Sequence, residues 1–144
     1  MAGTLTDTYV AALRHGTADV PESAVRLGVV RRPTPWFYAA VDENVPALAP
    51  PADLLDDAKA RQADLVADGF DDAAAHNAAM DDVDFDERYR LYLADAAEAA
   101  AAIDDLRERL DRGEDVALVC YENTENKRCH RTILRAFVEG TSAH

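Results

Sequence analysis

Both cysteines of the sequence stand in its densest cluster of reactive side chains: Cys120-Tyr121-Glu122, six further residues, then Cys129-His130-Arg131. The run before Cys120 patterns as a strand and the residues from Arg128 as a helix, so Cys129, His130 and Arg131 fall in a first helical turn. Unpaired N–H groups and the helix dipole favour negative charge there, and a thiol in that position ionises more readily. In this reading Cys129 is a thiolate nucleophile and His130 a proton carrier. Glu122 accepts a proton or orients the loop, Cys120 is a supporting or resolving thiol, and Arg128 and Arg131 stabilise the anion. Plainer readings stand beside these. Cys120 closes an apolar strand, as buried cysteines often do, and the arginines have many carboxylates to pair with. A disulfide between the two cysteines is a transient redox state in a reducing compartment. Adjacent residues in a helical turn point in different directions and rarely share one ion, so no metal and no cofactor is expected.

A second cluster, Arg31-Arg32-Pro33-Thr34-Pro35-Trp36, follows an apolar run that reads as a strand. Two guanidinium forks grip phosphate or carboxylate well, so Arg31 and Arg32 read as anion clamps if this loop approaches the Cys-His-Arg turn. Trp36 reads as a stacking surface or a lid.

An apolar strand ending in Cys-x-Glu, a short polar loop and a Cys-His-Arg helix start, here VALVCYENTENKRCHRTIL, resembles the family catalogued as Domain of Unknown Function 488, in the acidic versions typical of halophilic archaea. Tyr89 in its helix and the segment GVVRRP share the resemblance, which spans nearly the whole chain and is strongest over 84–138. The sequence departs from many members in lacking an acidic residue on the strand before Arg31. The resemblance implies a fold and a site at the Cys-His-Arg turn, and no reaction.

Segments 8–13 (TYVAAL) and 25–30 (VRLGVV) read as strands, and the prolines after Arg32 as a rigid aromatic loop. Pro51 suits the start of a helix running to about Asp68, with Leu54, Leu55, Ala58, Gln62, Leu65 and Val66 on its apolar face. Asp71 or Asp72 caps a short alanine-rich helix over 72–80. From Phe85 the apolar residues recur every three or four positions for over twenty residues, predicting one long helix capped by Asp84 and stopped by Gly113. The run 115–120 reads as a strand buried on both faces, and the helix after it buries Ile133, Leu134, Phe137 and Val138 before Gly140. These elements predict one α/β domain over 1–144, core about 8–140: a largely parallel sheet flanked by helices, three-layered and Rossmann-like, with its ligand site beyond the carboxyl ends of the strands.

The chain has 144 residues, 28 acidic against 15 basic, and a formal charge of −13. Area scaling gives such a chain about 7,300 Å² of folded surface against about 22,800 Å² unfolded, enough burial for a core without staples. Nineteen aspartates and only Lys59 and Lys127 beside thirteen arginines look salt-adapted. The charge opposes extended nucleic-acid binding while leaving room for one small basic crevice. No apolar run is long enough to span a membrane, and two cysteines cannot build a disulfide framework, so a soluble cytoplasmic protein is expected. P-loop, dinucleotide-turn, serine-elbow and cysteine-phosphatase motifs are all missing. His15, His76 and His144 receive no role. The reading is a domain binding a small anionic ligand, phosphorylated or nucleotide-like, with thiol-dependent transfer or hydrolysis. The alternative is a non-catalytic module recognising a nucleotide, a nucleic-acid end or a protein.

Overall fold

The computed structural model describes residues 3–16, 18, 20–120 and 129–140. Its four strands are β1 (Leu5–Tyr9), β2 (Val25–Gly28), β3 (Glu43–Asn44) and β4 (Val116–Cys120). They form one parallel sheet in the order β1-β4-β2-β3. The helices are α1 (Val10–His15), α2 (Pro35–Ala40), α3 (Ala52–Ala67), α4 (Asp72–Asp82), α5 (Phe85–Asp95), α6 (Ala97–Asp111) and α7 (His130–Glu139), with a 3-10 turn at Pro46–Leu48. This is the α/β architecture expected.

β4 is the centre of the sheet, and all five of its residues are buried. Successive strand side chains point to opposite faces, so both faces of the sheet are covered. Helix α7 packs on β1 and β4, and α5 packs on both α6 and α7. Leu118, Leu134, Leu106 and Tyr89 are fully buried in the core these elements share. Helices α3 and α4 pack as a hairpin with a small cluster of their own, Leu65 against Ala75 and Ala79. Val66, expected on the apolar face of α3, is exposed.

Four further sequence-based expectations are corrected. The first strand is Leu5–Tyr9, and Val10 to Leu13 already belong to α1. The segment after Pro33 turns into α2, with Pro35 in its first turn, where the missing N–H costs nothing. The long helix is two: Ala96 takes extended geometry, with φ −73° and ψ 127°, and ends α5 before α6 begins. Both helices keep one apolar stripe, so the periodicity runs through the break. Asp84 sits at φ 53° and makes no side-chain cap.

The cap at Asp71 forms. Its carboxylate accepts the Ala74 N–H at 2.8 Å. Asp71→Ala is expected to cost about 1 kcal/mol, read as a shifted urea midpoint; an unchanged midpoint would show that the cap contributes nothing.

Candidate functional site

Parallel strands leave a crevice beyond their carboxyl ends, and here β2 and β4 both discharge into one. Segment Val29–Val30 follows β2, Cys120 ends β4, and Cys129 and His130 open α7. All except Val29 line a pocket of about 260 Å³. The arginine loop and the Cys-His turn therefore meet, as the sequence reading required. Val30, Pro50, Leu55, Ala58, Met80 and Phe85 make most of the wall apolar, while Arg31, Arg32, Lys59, Gln62 and His76 supply its polar groups.

Cys129 caps α7 in extended geometry, φ −132° and ψ 148°, with the helix running away from it. Its sulfur lies directly against that of Cys120, so the end of β4 and the start of α7 bring the two cysteines together. Both cysteines are almost fully buried from bulk solvent, and the pocket is their approach.

His130 is held by its backbone neighbour. Its Nε2–H donates to the Val29 carbonyl at 2.6 Å, and Tyr89 meets its ring edge-on at 5.8 Å. That bond fixes the tautomer, leaving the Nδ1 lone pair 3.7 Å from the Cys129 sulfur. Burial lowers the imidazole from 6.5 to about 4; the bond to Val29 opposes the shift, and the Arg131 charge adds to it. His130 is thus neutral near pH 7, with its second ring nitrogen toward the Cys129 sulfur. Between pH 6.5 and 4 the unfolded chain takes up a proton that the folded His130 refuses. Stability therefore rises with pH through that window and is lost on acidification, by about 3 kcal/mol in full. Urea midpoints at pH 4 and 7 should differ more in the wild type than in His130→Asn; equal differences would remove the assignment.

Arg131 departs from expectation. It is not an anion clamp on the pocket wall, because the first turn of α7 directs it into the interior, where it is 1% exposed. Its Nε donates to Asp7 on β1 at 3.0 Å, its Nη1 to the Cys120 sulfur at 2.8 Å, and its guanidinium lies 5.8 Å from the Tyr9 ring centre. Asp7 also accepts from Arg135, one turn further along α7, at 2.9 Å. Asp7 went unremarked in the sequence.

Arg31 lines the pocket but spends three N–H groups elsewhere. Nε donates to Pro50 O at 3.0 Å, and Nη2 to Ala49 O at 3.1 Å and to the Tyr92 hydroxyl at 3.0 Å. Tyr92 donates in turn to Ala47 O, and the buried Tyr89 hydroxyl to Leu48 O. Four successive carbonyls of this proline-rich segment are thus satisfied by side chains instead of a strand ladder. Burial raises the Tyr89 phenol well above its usual value, so it stays a donor. Asn44 does similar work for the loop after β2: its amide accepts from Val30 N and donates to Val30 O.

Arg32 is exposed at the rim and pairs with Asp56 at 3.2 Å. Trp36 does not line the pocket; α2 turns it outward, 44% exposed, with the Arg14 guanidinium 5.2 Å from its ring centre. His76, passed over in the sequence, does line the pocket. Glu122 and Arg128 lie outside the described residues. Among the described residues no three His, Cys, Asp or Glu side chains are grouped to hold a metal ion, and no helix is long and apolar enough to cross a membrane.

No curated protein and no solved structure matches the chain. A family model does, over residues 10–142, and its description is the active DUF488-N3 subclade. The match covers most of the chain, including both cysteines and every strand after β1, and the chain therefore belongs to that family, the DUF488-N3a group.

Proposed function

We propose that the protein is a thiol-dependent enzyme acting on a small anionic ligand with an apolar body. One observation carries this reading: two cysteines line one pocket, one of them at a helix N-terminus beside an imidazole whose second nitrogen faces it. Cys129 is the nucleophile and His130 the imidazole beside it, an arrangement in which the ring is oriented by a third group, here the Val29 carbonyl. Arg32 and Lys59 at the rim attract the ligand's anionic group, and the apolar wall takes its body. The subclade's description as active accords with catalysis. The carboxylate-rich surface supports a salt-adapted, cytoplasmic setting, in which the cysteine pair cycles between thiol and disulfide.

Alkylation of the reduced protein in high salt tests the reading, with Cys129 and Cys120 followed separately by peptide mass spectrometry. Cys129 should titrate clearly below the free-thiol value of about 8.5. An inert Cys129, or one titrating near that value, would leave the pocket as the binding site of a non-catalytic module.

A further inference from the structure

We propose that the pocket floor is a dithiol–disulfide couple that reduces a small disulfide bearing an apolar body and an anionic group. The inference rests on the thiol reading above and names its substrate class.

The two sulfurs are differently served. Cys129 has the helix N-terminus and the His130 Nδ1, the equipment of an attacking thiol. Cys120 has the Arg131 Nη1 at 2.8 Å, a donor directed at its sulfur where negative charge would develop, on a guanidinium shared with Asp7. Burial alone would raise such a thiol, so a guanidinium directed at its sulfur is the arrangement a resolving thiol needs. The two sulfurs lie against each other, the juxtaposition from which a disulfide between them would close.

The pocket wall indicates what enters. Arg31, Arg32 and Lys59 are cationic side chains among the described residues lining the pocket. Leu55, Met80 and Phe85 offer the substrate an apolar bed. An anionic disulfide with an aromatic or aliphatic body fits both features.

Cys129, having lost its proton to solvent, attacks one sulfur of the substrate as the thiolate, forming a mixed disulfide and expelling the first substrate thiolate. The Cys120 thiolate then attacks the Cys129 sulfur, expelling the second substrate thiolate and closing the Cys120–Cys129 bond. Two protein thiolates are oxidised as one substrate disulfide is reduced to two thiolates, which take up from solvent the two protons the cysteines released, and a low-molecular-weight dithiol resets the couple.

The test uses the reduced full chain in high salt and 5,5′-dithiobis(2-nitrobenzoate), an anionic aromatic disulfide whose released thiolate is coloured. Two equivalents should be released per chain, the second in a phase whose rate does not depend on probe concentration, leaving an unlabelled Cys120–Cys129 disulfide. Cys120→Ser should release one equivalent and retain the label on Cys129. Cys120→Ala should do the same, with circular dichroism reporting the fold of each. Joint replacement of Arg32 and Lys59 by alanine should slow the first phase for this probe and not for neutral 2,2′-dithiodipyridine. A wild type that retains label on either cysteine, or whose second phase scales with probe concentration, overturns the couple while a low Cys129 titration keeps the thiol reading. Equal slowing of both probes overturns the anionic substrate class. Slow labelling with a Cys129 titrating near the free-thiol value overturns both proposals.

Discussion

Arg131→Ala is expected to remove about 3 to 5 kcal/mol of folding stability, because it strips one partner from a buried ion pair. The guanidinium side chain is 2% exposed and its Asp7 partner 16%, so neither has water as a ready substitute. Asp7 keeps Arg135, which stands at 42% exposure and itself pairs with Glu139, and this holds the loss toward the lower end of the range. Arg131→Met combined with Asp7→Leu should recover part of the stability, since removing both charges removes the uncompensated one. Urea denaturation of the wild type, Arg131→Met, Asp7→Leu and the double variant completes the cycle. A loss below about 1 kcal/mol for Arg131→Ala would reduce the pair to the value of a surface contact. The position also matters for interpreting activity. A substitution at Arg131 loosens α7 from β1 as well as freeing Cys120, so loss of function there does not separate catalysis from ligand capture. Arg32 and Lys59, exposed at the rim, do separate them.

Gly28→Val should cost about 1 to 3 kcal/mol as overpacking and should also slow Cys129 chemistry. A Cβ on Gly28 would come within 2.6 Å of both the Phe37 ring and the Asn44 Oδ1. Phe37 is wholly buried and cannot swing out, and Asn44 is bonded twice to the Val30 backbone. Displacing that amide moves the segment whose Val29 carbonyl holds the His130 ring. The chain of contact runs from a glycine in β2 to the imidazole at the thiol. Phe37→Leu should relieve part of the clash, so the double variant should be more stable than additivity allows. Thermal melts and Cys129 alkylation rates of the three variants decide it; Gly28→Val with wild-type values of both would show that the loop absorbs the methyl groups freely.

Where burial is symmetrical the sequence is readable, as in β4, whose five apolar residues need both faces covered. Helix α7 is also plain, from its stripe of Ile133, Leu134 and Val138 and from Gly140, which sits at φ 74°. Strand β1 hides because it is an edge strand with Leu5 and Thr8 buried and polar residues between them. Its apolar successors in α1 drew the strand assignment instead. Ala96 breaks a helix with no proline or glycine to mark it. Pro35 was read as a breaker where it acts as a helix start. In the site, Cys120, Cys129, His130, Arg31 and Arg32 were legible from chemistry packed closely in sequence. Asp7 was not, because its contact with Arg131 spans 124 positions and depends on β1 lying beside β4. Asn44 was missed for the same reason, its role being set by a two-residue strand against β2.

The central strand is also the last to be made. β1 and β2 leave the ribosome first, yet they do not touch each other; β4 lies between them, and the Thr4 N–H reaches Asp115 across 111 positions. Until β4 is synthesised, each of the two early strands keeps an open edge toward the gap, and closing such distant pairs makes assembly slow. Cys120 sits on the closing strand, and Cys129 begins the helix that covers it. The sheet and the pocket with its two cysteines are therefore completed in one event, so a chain still carrying the gap has no pocket in which its sulfurs could meet.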